Sequence, residues 1–233
     1  MTEVATGLVD PENRSEFLAG VRDSIPVFSG TIPFAVVVGV TGVEFGLSSL
    51  EISAMSTLVY AGASQLVAIA LLSEAAHPAV VVLTVGLVNA RFAMYSASLA
   101  PEFDSLSRVR KALYPFLLVD TIYALATMRY RTRPESPVHW YYVGGGLAFW
   151  ASWVGGTVVG AVLGTGMPDG FPAALVLPLV FIALLAPLVE DRPAAITALV
   201  AGAVAVVAAP LVYNLGLLVA VVSGLAVGVA LDR

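Results

Sequence analysis

The chain is built from long apolar runs that few charged residues interrupt, and these runs constrain its fold more than any other feature. A membrane-spanning helix needs about 20 mostly apolar residues, because the hydrocarbon core is about 30 Å thick and a helix rises about 1.5 Å per residue. Eight segments meet this requirement or come close to it: 25–46, 51–73, 78–100, 112–129, 138–164, 172–189, 194–210 and 211–230. The sequence therefore predicts a polytopic membrane protein.

Composition excludes the other broad classes of protein. Asp, Glu, Lys and Arg make up 12 % of the chain, against about 25 % in soluble domains, which is too few to cover a soluble globule. Disorder requires low hydrophobicity and high net charge, whereas 59 % of this chain is hydrophobic. A β-barrel requires alternating apolar and polar residues, whereas the apolar runs here are continuous. With no Cys, two His and a net charge of −5, we expect no catalytic thiol, no metal site, no cofactor and no nucleic-acid partner.

The predicted fold is an all-α bundle of seven to eight membrane segments, some of them broken by Gly or Pro. Residues 1–24 are polar and mixed in charge, which predicts a separate N-terminal segment that could form a short interfacial helix. Residues 25–230 are predicted to form a single transmembrane domain. Pro210 and the stretch 213–216 predict a turn between the last two segments, and without that turn the count is seven.

An internal repeat is a further hypothesis. The stretch 69–72 (Ile-Ala-Leu-Leu) is followed by a polar turn and Pro-Ala, and the stretch 182–185 repeats the same pattern. Because transporters are often built from repeats, these matches suggest that 25–129 and 138–230 are related.

Loop cations predict the orientation, since cytoplasmic loops carry an excess of Lys and Arg. With eight spans and a cytoplasmic N-terminus, the cytoplasmic residues would be Arg14, Arg22, Arg129, Arg131, Arg133, Arg192 and Arg233. The 101–111 loop, with Arg108, Arg110 and Lys111, would lie outside and is the misfit. Either one of the first three segments is re-entrant or this loop is tolerated, and we expect the N-terminus inside.

Two charged residues fall deep inside predicted spans, Arg91 in 78–100 and Asp120 in 112–129. A charge at the centre of a membrane helix costs roughly 2.5–3.5 kcal/mol on insertion scales. Asn89 and Gln65 lie at a similar depth, so four polar groups on three segments predict a lined site. The structural alternative is that Arg91 and Asp120 only neutralise each other, and snorkelling or misplaced segment boundaries are further alternatives.

Helical spacing extends each of these charges into a polar stripe. Tyr95 and Ser98 follow Arg91 at i+4 and i+7, and therefore share its face of the helix. Tyr123 and Thr127 follow Asp120 at i+3 and i+7.

The first two segments contain small and helix-breaking residues. Gly30 and Pro33, followed by Phe34, predict a discontinuous helix of the kind that points half-helix N-termini at anionic groups. A simple kink with small residues for packing is the alternative. In the second segment, Ser64 and Gln65 supply hydrogen-bond donors after a run of small residues.

Several of these motifs together resemble the AzlC-type branched-chain amino-acid permeases. They are Gly30-Thr-Ile-Pro33-Phe34, Tyr60-Ala-Gly-Ala-Ser64-Gln65, and Asn89-Ala-Arg91 followed by Tyr95 and Ser98-Leu-Ala-Pro101. Asp120 and the stretch 181–185 fit later family segments. Family members often carry His after the Arg and an acidic residue after the Asp, where this chain has Phe92 and Thr121.

The resemblance implies the large subunit of a two-component exporter of branched-chain or similar amino acids, working in the cytoplasmic membrane with a small AzlD-type partner. It implies substrate-binding roles for these residues: Gly30, Pro33, Phe34, Ser64, Gln65, Asn89, Arg91 and Tyr95. The expected function is therefore a secondary transporter driven by an ion gradient, with Asp120 balancing Arg91 or coupling to the ion. The alternatives are a non-transporting assembly subunit or an intramembrane enzyme.

Overall fold

The computed structural model describes residues 10–166, 191–211 and 215–231, together with Ile182 and Val189. This part of the chain contains helices and no strand. The α-helices are α1 (Pro11–Ser24), α2 (Phe28–Glu44), α3 (Ser49–Leu58), α4 (Gly62–Ser73), α5 (Pro78–Val88), α6 (Ala90–Leu99), α7 (Arg108–Leu113), α8 (Asp120–Thr132), α9 (Val138–Gly164), α10 (Arg192–Ala208) and α11 (Leu215–Leu231). Turns of 3₁₀ helix follow α1, α6 and α7 at Ile25–Val27, Ala100–Phe103 and Tyr114–Leu117. The predicted all-α class is confirmed.

Three helical stretches in the described residues are long and apolar enough to cross a membrane: Pro11–Glu44, Pro78–Phe103 and Val138–Gly164. Helices α4, α10 and α11 are apolar but shorter. The predicted spans 51–73 and 112–129 are each divided into two arms, so the count of seven to eight spans is not confirmed. Apart from Ile182 and Val189, the predicted segment 172–189 lies outside the described residues, as does most of the second copy of the suggested repeat.

The predicted break at Gly30 and Pro33 is wrong, because α2 continues through Pro33 to Glu44. Proline removes one backbone hydrogen bond, a loss that a membrane helix tolerates as a kink when neighbouring groups compensate. The hydroxyl of Thr31 donates to the Val27 carbonyl at 3.0 Å and supports this turn of the helix. The regular α-helix is interrupted earlier, by the 3₁₀ turn Ile25–Val27.

Helix α9 packs along the whole of α1 and α2 and runs in the same direction. A Cβ atom on Gly144 would lie 2.8 Å from the carbonyl carbon of Phe17, and one on Gly160 would lie 2.7 Å from that of Val36. Further along, Gly164 lies against Val40 and Val43 in the same way. Small residues at four-residue spacing let membrane helices approach at this distance. The N-terminal helix α1 is thereby fixed against α9.

Residues 108–132 form a hairpin, called the second hairpin below. Its first arm consists of α7 and the following 3₁₀ turn, and runs parallel to α9. Tyr142 donates its hydroxyl to the Tyr114 carbonyl at 2.8 Å, and a Cβ on Gly146 would lie 2.8 Å from the Leu117 side chain. The chain is then extended at 118–119, where the first arm ends.

The second arm of this hairpin, α8, returns antiparallel to α9. A Cβ on Gly145 would touch Ile122, and further along α8 the guanidinium of Arg129 lies 5.1 Å from the Tyr141 ring. The hairpin therefore begins and ends near the N-terminus of α9, and its tip lies further along that helix. Segment 112–129 is not one span, because its apolar residues cover two short arms.

Helix α6 runs beside α8 in the same direction, with Tyr95 stacked on Tyr123 and Glu102 close to Tyr130. It ends near the N-terminus of α9, so α5, which precedes it in the same long helical stretch, begins at the other end of the bundle.

Residues 49–73 form the first hairpin, which starts from that other end. Its arm α3 runs antiparallel to α9, with Ser49 close to Ala161 and the Trp150 indole donating to the Thr57 carbonyl at 3.2 Å. The helix stops at 59–61, where Tyr60 has a φ of +47°. Helix α4 leads back to the start of α5 through the short loop 74–77.

The tips of the two hairpins meet inside the bundle. The ring of Tyr60, at the tip of the first hairpin, lies 6.0 Å from the ring of Phe116 and 6.2 Å from that of Phe149. One hairpin comes from each end of the bundle.

Helices α10 and α11 form an antiparallel pair. Gly216 lies against Ala208, and Gly228 lies near Thr197 at the other end of the pair. The chain thus turns between them, as Pro210 and the stretch 213–216 predicted; residues 212–214 themselves lie outside the described residues.

The two ends of the bundle differ in charge. One end, called the basic end, holds the start of α1, the 101–111 loop, the end of α8 and the start of α10. Its cations are Arg14, Arg22, Arg108, Arg110, Lys111, Arg129, Arg131, Arg133 and Arg192, and it also carries carboxylates, namely Asp10, Glu12, Glu16, Asp23, Glu102, Asp104, Glu135 and Asp191. At the opposite end the charged residues that the structure describes are acidic: Glu44, Glu51 and Glu74. Among the described residues, the difference between the two ends is therefore the presence of cations. The misfit of the 101–111 loop disappears because both 51–73 and 112–129 are hairpins.

Candidate functional site

An ion pair lies at the tip of the second hairpin. The Arg91 Nη2 atom is 3.2 Å from Asp120 Oδ2, and the Tyr95 hydroxyl donates to Asp120 Oδ1 at 2.9 Å. The two charged side chains are 35 % and 48 % exposed. Asp120 is the first residue of α8, where the helix dipole favours a carboxylate. The structure therefore joins the two charges that the sequence placed at one depth.

The two predicted polar stripes face each other along α6 and α8. Next to the ion pair, in the direction of the basic end, the rings of Tyr95 and Tyr123 stack with centroids 4.3 Å apart. The Tyr123 hydroxyl donates to Ser98 Oγ at 3.1 Å. The Thr127 hydroxyl is buried and has no partner among the described residues. Polar contacts therefore lead from the hairpin tip as far as Ser98, in the direction of the basic end.

Arg91 retains an unused donor. Its Nε atom is buried and has no hydrogen-bond partner in the described part of the chain, while its Cζ lies 5.2 Å from the Phe92 ring. The Arg91 side chain as a whole is 35 % exposed, and a guanidinium has five N–H groups, so it can bind a second carboxylate beside Asp120.

Ser64 and Asn89 connect the first hairpin to this site. The Ser64 hydroxyl donates to Asn89 Oδ1, and Asn89 immediately precedes α6 on which Arg91 lies. Asn89 is therefore two residues from Arg91 in the chain and Ser64 is bonded to Asn89, although no direct hydrogen bond joins Asn89 to Arg91 in the described contacts.

Gln65 occupies a different environment, a closed ring of hydrogen bonds between the first hairpin and α9. Its Nε2 donates to Ser56 Oγ at 2.8 Å, and Ser56 donates to Thr157 Oγ1 at 3.0 Å. Thr157 donates to the Trp153 carbonyl at 3.0 Å, and the Trp153 indole donates to Gln65 Oε1 at 3.1 Å. Gln65 is completely buried. This ring fixes the hairpin to α9, and sequence spacing gave no sign of it because its members are far apart in the chain.

The remaining predicted residues lie on α2. Phe34 packs edge-on against Trp153 with ring centroids 5.3 Å apart, and a Cβ on Gly62 would lie 2.9 Å from its ring. Gly30 and Pro33 are exposed, and a Cβ on Gly30 would meet no atom within 4 Å. The structure brings Phe34 to the first hairpin and leaves Gly30 and Pro33 on the outer surface.

Both hairpin tips present a helix N-terminus to the interior. Helix α4 begins at Gly62 directly after the break at 59–61, and α8 begins at Asp120 directly after 118–119. At the first tip, the Ala61 N–H donates to Gln65 Oε1 at 3.3 Å, and the buried Tyr60 hydroxyl has no partner among the described residues. The free N–H groups of a helix start carry a partial positive charge. Each tip therefore carries a partial positive charge at the start of its second arm.

The described residues contain no group of three or more His, Cys, Asp or Glu that could hold a metal ion. The fold and site define an integral membrane protein of all-α class with an ion pair at the meeting point of two opposed hairpins.

The chain belongs to the AzlC family, whose model, described as AzlC protein, matches residues 26–167. It is similar to the inner membrane protein YgaZ of Escherichia coli, with 35 % identity over 199 residues that cover 81 % of this chain and 80 % of that protein. It is also similar to uncharacterised membrane proteins of Archaeoglobus fulgidus (28 % identity, 64 % of this chain and 63 % of that one) and Helicobacter pylori (29 % identity, 64 % and 67 %). No solved structure matches the chain.

Proposed function

We propose that the protein is a secondary transporter that exports branched-chain or similar small apolar amino acids across the cytoplasmic membrane, driven by an ion gradient. The observation that carries this proposal is the half-exposed Arg91–Asp120 pair at the hairpin tip. Charged residues at membrane depth are costly, and they mark substrate or ion pathways more often than purely structural contacts. Membership in the AzlC family supports the same function.

Arg91 binds the carboxylate of the substrate in this proposal. Its Nε is unpaired in the described residues, and its Nη2 is held by only one carboxylate oxygen. Ser64 and Asn89, at the junction of α4 and α6, orient the ammonium end. Asp120 competes with the substrate for Arg91, so that protonation of Asp120 frees the guanidinium and couples transport to an ion gradient.

The charge distribution supports a cytoplasmic basic end. Cytoplasmic loops are enriched in Lys and Arg, and the described cations outside the site lie at that end, together with the N-terminal helix α1. The second hairpin then enters from the cytoplasm and the first hairpin from outside. Many transporters likewise bind their substrates near mid-depth, where the ends of interrupted helices meet.

A small AzlD-type membrane protein is the proposed partner, by resemblance to the two-component exporters. If such a partner exists, the main alternative is that this chain is a membrane assembly subunit and that another subunit moves the substrate.

Transport in liposomes tests the proposal. Vesicles holding the chain alone, or with its partner, are loaded with labelled L-leucine under a proton gradient, and efflux is measured. We expect efflux with the wild type, none with Arg91→Ala, a partial rate with Arg91→Lys, and gradient-independent exchange with Asp120→Asn. The control Arg131→Ala removes an exposed cation at the basic end and should behave as wild type.

The outcomes separate the alternatives. Normal efflux in a well-folded Arg91→Ala protein would refute the assignment of the carboxylate site. Absence of flux under all conditions, with a stable complex, would favour the assembly subunit. The exchange Arg91→Asp with Asp120→Arg separates a structural pair from a functional one: restored folding without transport supports function, whereas restored transport supports a structural pair.

A further inference from the structure

A cavity of about 180 Å³ lies between α6 and the first arm of the second hairpin. Its walls are mainly apolar and include Leu99, Ala100, Phe103, Leu118 and Tyr142. An apolar protein cavity of about 150 Å³ is large enough to bind benzene. The cavity can therefore hold an aliphatic side chain of three or four carbon atoms.

An ion pair of opposite charges stands at the mouth of this cavity. The Lys111 Nζ atom donates to Asp104 Oδ1 at 2.8 Å, and the two side chains are 39 % and 87 % exposed. Both lie at the basic end, outside the membrane-spanning helices. The hydrogen bond from Lys111 holds the pKa of the Asp104 carboxyl below its usual range, so the carboxylate stays charged at neutral pH. An exposed pair of this kind contributes little stability and opens easily.

The inner end of the cavity is lined by residues next in the chain to those of the Arg91–Asp120 site. Leu118, in its wall, is two residues from Asp120 at the hairpin tip, and Ser96, also in its wall, follows Tyr95 on α6. A ligand in the cavity therefore lies between the basic end and the tip.

We propose that this cavity is a second binding site for the zwitterionic substrate, on the cytoplasmic side of the Arg91 site. This inference rests on the proposed function. The apolar walls take the side chain of the amino acid. Lys111 binds the carboxylate of the amino acid and Asp104 binds its ammonium group. The two groups of the substrate thus replace the partners that Lys111 and Asp104 lose when their ion pair opens.

The two charges at the mouth favour a zwitterion over other occupants. A fatty acid or an anionic lipid would pair with Lys111 but leave Asp104 without a partner, and a simple cation would do the reverse. A free amino acid satisfies both charges at once, with its apolar side chain directed into the cavity.

Alkylation of a single cysteine tests occupancy, since the chain has no cysteine of its own. Ser96→Cys places a thiol in the cavity wall, and Ala97→Cys places one on the exposed face of the same helix. Both are made in the Arg91→Ala background, so that binding at the central site does not contribute. We expect L-leucine to slow maleimide labelling of Ser96→Cys several-fold, and glycine or octanoate to slow it much less. The rate for Ala97→Cys should not change.

Transport kinetics test the contribution of the charges and of cavity size. With substrate presented at the basic end, Lys111→Gln and Asp104→Asn should each raise KM about fivefold and change kcat little. Ala100→Leu should fill the cavity and raise KM for leucine more than for alanine. The matched variants Arg108→Gln and Ala97→Leu should leave both constants unchanged.

The failure of this inference is distinguishable from failure of the proposed function. A wild-type protein that transports leucine, with no leucine protection of Ser96→Cys and unchanged KM in the Lys111 and Ala100 variants, would overturn the second site only. Equal protection by octanoate and leucine would assign the cavity to lipid. A wild type that moves no amino acid, alone or with its partner, would overturn the transport function itself.

Discussion

The contact between α9 and α2 predicts that replacing glycine by alanine lowers the stability of the protein at one position of α9 and raises it at another. On α9, Gly160 faces Val36, and a Cβ there would lie 2.7 Å from the Val36 carbonyl carbon and 2.8 Å from its Cα. Gly155, five positions earlier, is exposed, and a Cβ there would meet no atom within 4 Å. Carbon atoms in favourable contact are about 3.5–4.0 Å apart. Gly160→Ala therefore forces the two backbones apart by about 1 Å.

The expected magnitudes follow from two competing effects. Replacing Gly by Ala inside a helix favours the helix by about 1 kcal/mol, which is the whole effect at Gly155. At Gly160, overpacking costs about 1–3 kcal/mol or more, since the obstruction is backbone that cannot rotate away. Separating α2 from α9 also loosens the contacts of Gly156 and Gly164 on the same face. We therefore expect Gly160→Ala to lower stability and Gly155→Ala to raise it slightly.

Thermal unfolding in detergent, followed by tryptophan fluorescence, measures the difference. Trp150 and Trp153 lie on α9 near both glycines and report on its environment. A Gly160→Ala protein as stable as Gly155→Ala would refute the close approach of the two helices.

Three other predictions concern the topology and the polar contacts. With the basic end in the cytoplasm, Arg108→Cys should react with a membrane-impermeant maleimide only from the cytoplasmic side, and Glu74→Cys only from outside; the reverse pattern would refute the orientation. Glu16 and Arg129 form a bidentate pair with bonds of 3.0 and 2.6 Å, and their side chains are 5 % and 16 % exposed. Removing either charge should therefore lower the free energy of unfolding by about 3 kcal/mol. An effect below about 0.5 kcal/mol, the range of exposed pairs, would show that water shields the pair. Gln65→Leu should cost about 2 kcal/mol, because it leaves buried partners without hydrogen bonds, and unchanged thermal stability would argue against the closed ring.

The sequence predicted the elements that depend on hydrophobic length and helical spacing. Segment 138–164 has the bounds of α9, and the spacing of Tyr95 from Arg91 and of Tyr123 from Asp120 predicted two polar faces, which the structure places in contact. These features are local, since one helix and its period determine them.

The hairpins could not be predicted in the same way. An apolar segment has the same composition whether it crosses the membrane or turns back inside the bundle, and only contacts with other helices distinguish the two. The break at 59–61 has no proline, and Pro33, which looked like a break, lies within a continuous helix. The distribution of cations was the available signal, because the misfit of the 101–111 loop left a re-entrant segment among the first three as one of two explanations, and the first hairpin is such a segment.

The hairpins also explain how an aspartate and an arginine are tolerated so deep in the bundle. Each break exposes the N–H groups of a helix start, which are costly without water unless an acceptor is near. At α8 a negative charge is supplied locally, because Asp120 is the first residue of the helix and its charge is balanced by Arg91. At α4 the first turn carries no acidic residue. An anionic ligand that displaces Asp120 from Arg91 would thus meet a guanidinium and a second helix N-terminus, while Asp120 keeps the favourable field of its own helix. Asp120 loses the guanidinium in this exchange and keeps the Tyr95 hydroxyl and its position at the helix start, so the proposed mechanism places the binding and release of a carboxylate at the hairpin tips.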